Sequence, residues 1–145
     1  MILISQQDKR WGNKPIGNTN TLIKDKGCTI TSLSMISDYF GCYQDPGWMG
    51  KYLSFTADAK ILWQSISKVL CFDFVWRGYN YNEATILDAI KDPAKACLLE
   101  IRHAHWVVGI RKVPLLGYYV ADPWLATKHF YPISYISGFA VFKNK

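Results

Sequence analysis

Gly27-Cys28-Thr29-Ile30-Thr31-Ser32-Leu33-Ser34-Met35 places a thiol at the threshold of a helix. From residue 29 to 40 the apolar side chains Ile30, Leu33, Met35 or Ile36, and Phe40 recur at roughly helical spacing. Thr29, Thr31 and Ser32 suit the start of that helix and Gly41 its stop. Cys28 then stands at or just before the first turn, where the positive end of the peptide dipoles favours an anion such as a thiolate. The competing reading of a lone cysteine is a small buried core residue. The glycine before Cys28 and the helix after it favour a chemical role.

Downstream, two short blocks supply partners for a thiol. His103-Ala104-His105-Trp106-Val107-Val108-Gly109-Ile110 opens a strand with an imidazole, and Tyr118-Tyr119-Val120-Ala121-Asp122-Pro123-Trp124 closes one with a carboxylate. The loop between them, residues 111–117, carries Pro114 as a breaker. A hairpin symmetric about Val113-Pro114 sets His105 directly opposite Asp122, on one face of the sheet. A slip of one residue would put the two side chains on opposite faces. Asp122 before Pro123 also suits the start of a turn, and the two readings are compatible. Cys28, His105 and Asp122 together suggest a Cys-His-Asp triad.

Around these blocks the chain reads as helices first and strands afterwards. Residues 1–27, punctuated by Gly12, Pro15, Gly17, Asn18 and Asn20, form an irregular arm. After the helix at 29–40, a short helix is expected from Asp45-Pro46-Gly47 to Leu53, a third over 58–70, and a fourth over 82–90 capped near Asn80–Asn82. β-rich runs follow at 96–101, 106–110, 118–121 and 139–142. This order indicates an α+β fold with an antiparallel sheet, in one domain spanning residues 1–145.

Composition narrows the function classes. Of 145 residues, 50% are apolar and 19% charged, enough for a packed core and too few charges for disorder. Aromatics make up 15%, and the six Trp and nine Tyr are expected mostly in the core. A net charge of +6 favours anionic partners, but the basic residues are dispersed and interleave with no aromatic run, so nucleic-acid binding is not expected. No apolar run approaches a membrane span, and the start Met1-Ile2-Leu3-Ile4-Ser5 lacks the basic leader of a signal peptide, so synthesis in the cytoplasm is expected, with incorporation in a particle or release by lysis open. Cys42, Cys71 and Cys97, like Cys28, are expected as free thiols, since no CxxC pair or disulfide framework is visible. His103 and His105 would face one side of a strand, but no further ligands cluster with them, so no metal is expected.

Taken in order, the blocks resemble the double-glycine leader peptidase-like proteins of bacteria and their phages, a branch of the papain-like cysteine peptidases. The resemblance rests on Gln6-Gln7-Asp8-Lys9-Arg10-Trp11, Gly17, the Gly27–Met35 block, Tyr39-Phe40-Gly41, Leu62-Trp63, His105-Trp106-Val107-Val108 and Asp122-Pro123. Residues 71–95 match nothing in that pattern. The resemblance implies a papain-like fold, N-terminal helices bearing the nucleophile packed on a C-terminal antiparallel sheet. It implies Cys28 as nucleophile, His105 as base, Asp122 as the residue orienting the imidazole, and Gln6 as an oxyanion-hole donor. Trp106 and Trp124, each beside a triad residue, are the candidates to wall a substrate cleft.

The chemistry so implied is hydrolysis of an amide bond without metal or organic cofactor. The substrate is either a polypeptide, as in a maturation cut, or the peptide part of bacterial cell wall, with association to a phage particle one setting for either. A second class is a non-catalytic structural or binding module of a larger assembly such as a phage tail. The nucleic-acid reading rests on net charge alone.

Overall fold

In chain order the computed structural model, which describes residues 1–145, has α1 (Ile23–Lys26), α2 (Cys28–Tyr39), α3 (Pro46–Tyr52), α4 (Gln64–Val69), β1 (Phe72–Gly78), α5 (Glu83–Lys91), β2 (Lys95–Ile101), β3 (His105–Val113), β4 (Gly117–Asp122), β5 (Thr127–Pro132) and β6 (Ile136–Asn144). The strands form one six-stranded sheet in the order β1-β6-β2-β3-β4-β5, with every pairing antiparallel.

Alternation along the strands builds two cores. Leu98, Val108, Ala121, Ala140 and Phe142 face α2, α3 and α4, where they meet Ile30, Leu33, Met49 and Ile66. Their neighbours Cys97, Leu99, Val107, Val120, Phe139 and Val141 face α5, where they meet Ile86 and Ala89. The period of two in side-chain direction thus lets one sheet bury both faces.

Helix α2 is buried nearly all round, including Thr31, Ser32, Ser34 and Ser37. Small hydroxyl side chains let it approach its neighbours closely, and two of them find partners within the helix: Ser34 Oγ donates to Ile30 O at 3.1 Å and Ser37 Oγ to Ser34 O at 2.7 Å. Asp45 caps α3 by accepting from Trp48 N, with Pro46 at the first helical position, and Asn82 caps α5 by accepting from Thr85 N.

Several expectations need correction. The helix expected over 58–70 is confined to Gln64–Val69. Upstream, Thr56 and Asp58 hydrogen-bond each other, Lys60 N donates to Thr56 Oγ1, and Phe55 bridges to Ile61, so side-chain and strand-like bonds displace helical ones. The arm contains one helical turn, α1. Strands β1 and β5 were not foreseen. The first carries an alternating Phe72, Phe74 and Trp76; the second is a mostly exposed edge strand with no apolar face to read. Among the Trp and Tyr residues only Trp11 and Tyr118 are buried.

The expectation of free thiols fails for two of the four cysteines. Cys42, just beyond α2, and Cys71, just before β1, are joined by a disulfide with Cα atoms 6.4 Å apart. They lie 29 residues apart in sequence, and only the folding of α4 and β1 against the end of α2 brings them together. Cys97 is free and buried, and Cys28 is free and partly exposed.

Candidate active site

Cys28 is the first residue of α2, and the chain reaches it through a tight junction. Gly27 N donates to Ile23 O at 2.7 Å, closing α1, and Gly27 O accepts from Thr31 N at 2.9 Å, opening α2. A Cβ on Gly27 would lie 2.4 Å from Ile23 O, so only glycine fits between the two helices. One turn further on, Ser32 Oγ donates to Trp106 O at 3.3 Å. That bond ties the helix bearing the thiol to the strand bearing the imidazole.

His105 begins β3 and Asp122 ends β4. The two are not directly opposed, as the symmetric hairpin had them. The turn is centred further along, with Val113 paired to Gly117, and the register shifts between Gly109 and Arg111, so that Val108 pairs with Ala121. Without that bulge Asp122 would stand level with Val108, and His105, three residues away, would face the other side of the sheet. The bulge at Ile110 moves Asp122 level with Val107, which shares its face with His105. The two side chains meet as diagonal neighbours, His105 Nε2 to Asp122 Oδ1 at 2.8 Å.

Electrostatics follow from these contacts. Burial opposes charge on the His105 ring, but the hydrogen bond to Asp122 and the pull of the Cys28 sulfur and the Asp122 charge outweigh it and push the pKa up to about 9. Burial also opposes the Asp122 carboxylate, yet His105, the Trp124 amide and the Tyr131 hydroxyl together hold it below its ordinary value. The Asx turn formed by Trp124 N on Asp122 Oδ1, at 3.0 Å, means that Asp122 both starts the turn and faces the imidazole.

Cys28 and His105 open into a cavity of about 910 Å³ that is also lined by Gln6, Trp106 and Trp124. Gln6 is 1% exposed and held by its backbone, since Gln6 N donates to Pro123 O at 2.7 Å and the adjacent Ser5 Oγ to Trp124 O at 2.8 Å. The arm therefore docks on the turn that follows Asp122. The Gln6 amide is turned toward α1, with Nε2 donating to Ile23 O and Lys24 O, and its Oε1 is buried without a partner. Trp106 packs edge-on against Trp63 at 5.2 Å, and Trp124 is 48% exposed at the rim.

No family model and no curated protein matches the chain. Among solved structures, a similar fold occurs in the crystal structure of a double glycine motif protease from AMS/PCAT transporter in complex with the leader peptide. The TM-score is 0.63 at 14% sequence identity, covering 81% of this chain and 84% of that one. The fold is α+β and papain-like. In this papain-like frame, helices with Cys28 at one helix start pack on an antiparallel sheet that carries His105 and Asp122.

The structure also places residues in or behind the cavity that the sequence did not single out. Arg77 lies over the rings of Tyr79 and Trp106, at 4.1 and 4.7 Å from their centroids, and donates to Glu100 Oε2 at 2.9 Å. Both Arg77 and Tyr79 come from the stretch 71–95, so that stretch does shape the groove. Tyr131, behind Asp122, donates to its Oδ2 at 3.0 Å. His103 lies in the β2–β3 turn with φ of 58°, not on the strand, and its side chain is 79% exposed. No group of three or more His, Cys, Asp or Glu side chains is placed to hold a metal ion, and no helix is long and apolar enough to cross a membrane.

Proposed function

We propose that this chain is a cysteine-dependent amide-bond hydrolase acting on a polypeptide, with Cys28, His105 and Asp122 as its triad. The observation that carries the reading is one imidazole hydrogen-bonded to a carboxylate at 2.8 Å and sharing a large cavity with a thiol at a helix start. Because Nε2 is taken by Asp122, Nδ1 is the nitrogen left for the thiol.

The reaction runs in two halves. In the thiolate–imidazolium form of the pair, with the proton on His105 Nδ1, Sγ attacks the carbonyl carbon to give a tetrahedral oxyanion. The Cys28 backbone N–H at the start of α2 is a donor for that oxygen, and Gln6 Nε2 becomes a second if its amide turns from the α1 carbonyls into the cavity. Such a donor contributes about 3–4 kcal/mol. The C–N bond breaks, His105 gives its proton to the leaving amine, and a thioester remains on Cys28. Water then adds with His105 as base, releasing the acid and restoring the thiol. Asp122 holds the ring in place and stabilises its charge. Trp106, Trp124 and Trp63 offer flat apolar walls for a peptide. The solved structure of similar fold holds a leader peptide, which favours polypeptide over cell-wall peptide as the class to test first.

The test is alkylation by iodoacetamide from pH 4 to 9 with peptide mapping, followed by hydrolysis assays on peptide libraries and on purified cell-wall peptides. Selective reaction of Cys28 at pH 6, lost in His105→Ala, with peptide cleavage lost in Cys28→Ala, is the expected result. Cleavage of wall peptides alone would move the substrate to that class. Cys28 reacting no faster than the buried Cys97 would rule out a working triad and leave a non-catalytic module.

A further inference from the structure

Asp122 is gripped at both oxygens, and the grip on the second has no counterpart in the triad. Oδ1 accepts from His105 Nε2 at 2.8 Å and from Trp124 N at 3.0 Å, while Oδ2 accepts from Tyr131 Oη at 3.0 Å. Tyr131 sits on β5 opposite Tyr118, four positions along β4 from Asp122, and reaches back to the carboxylate. Its ring is fixed by His129, edge-on at 4.7 Å between centroids, and by Tyr135 at 6.1 Å.

A carboxylate held through Oδ1 alone can still swing about its Cβ–Cγ bond, and the hydrogen bond to an imidazole weakens steeply as it leaves the ring plane. A donor on Oδ2 removes that freedom. We propose that Tyr131 is a positioning residue whose hydroxyl fixes the plane of the Asp122 carboxylate, and thereby keeps Oδ1 on His105 Nε2. The proposal rests on the reading of His105 and Asp122 as a working pair. Tyr131 touches neither the thiol nor the cavity, so it acts through Asp122 alone. Burial and the adjacent Asp122 charge push its own pKa up to about 12, so the hydroxyl remains a donor across the range in which His105 titrates.

The experiment follows the His105 ring by NMR titration in full-length protein labelled at histidine, where only three histidines contribute. It compares wild type, Tyr131→Phe, Asp122→Asn and Tyr118→Phe. Tyr131→Phe removes one oxygen and keeps the ring packing, and Tyr118→Phe removes the neighbouring buried hydroxyl, which bonds Tyr81 instead of the triad. The expected result is that His105 titrates near 9 in wild type and in Tyr118→Phe, and lower by about one pH unit in Tyr131→Phe. Cys28 alkylation at pH 6 falls about tenfold in Tyr131→Phe alongside it. A shift in Asp122→Asn with none in Tyr131→Phe overturns the proposal and leaves the triad standing. Equal shifts in Tyr131→Phe and Tyr118→Phe overturn it too, since the effect is then general packing. No shift in any variant, Asp122→Asn included, removes the His105–Asp122 pair and both readings with it.

Discussion

His105 keeps its proton to about pH 9, and that fixes the sign of two pH effects at the residue scale. For catalysis, a thiolate–imidazolium pair loses its acid as His105 deprotonates, so kcat/KM should fall along an alkaline limb centred near pH 9, measurable on any cleaved peptide. For stability, the folded pKa lies above the ordinary 6.5. The pair therefore stabilises fully below pH 6.5 and loses that contribution as pH rises through about 9. Asp122, depressed, works in the opposite sense: its contribution is full above the ordinary carboxylate pKa and is lost on acidification. In Asp122→Asn the alkaline limb should move down from 9 toward 6.5, as a kcat/KM profile would record. The grouping of Cys28, His105 and Asp122 was legible because each sits in a short block whose local chemistry singles it out. Tyr131 and Arg77 were not, since their roles arise from contacts across strands that neither spacing nor periodicity foretells.

At the scale of elements, the site depends on two joints. The junction between α1 and α2 admits no side chain at residue 27, so Gly27→Ala should cost about 2 kcal/mol and lower Tm by about 6 °C, read by thermal denaturation. The Ser32–Trp106 bond couples α2 to β3, and Ser32→Ala should cost about 1 kcal/mol while lowering the rate of Cys28 alkylation more than the stability loss explains. The helices α2, α3 and α5 were readable from apolar spacing and caps, because a buried helix face must recur every turn. The helix over 58–70 was over-read because Thr56 and Asp58 offer the backbone other partners. The hairpin put His105 and Asp122 on the correct face with the wrong register. The two-residue offset preserved the face, and the odd residue of the longer turn was absorbed by the bulge at Ile110.

Over the whole molecule, the disulfide and the sheet order govern how the parts are held. Cys42–Cys71 closes a long loop between α2 and the sheet, with a sequence separation of 29. By loop entropy it stabilises by about 3–4 kcal/mol. The Cys42→Ala/Cys71→Ala double variant should therefore lower Tm by about 10 °C, leaving Cys28 alkylation unchanged at 25 °C. The α+β class was visible in the order of helices and strands, but the strand order β1-β6-β2-β3-β4-β5 was not, because β1 waits for β6 to join it to the rest. That arrangement has a consequence for a chain made from its N-terminus. β6 is made after the other five strands, yet it lies between β1 and β2, and Gln6, made long before Pro123, must wait for it to dock. A nascent chain halted before residue 136 has its thiol but no finished sheet to present the imidazole. Synthesis itself thus acts as a timer, keeping the thiol apart from a completed sheet until β6 has emerged.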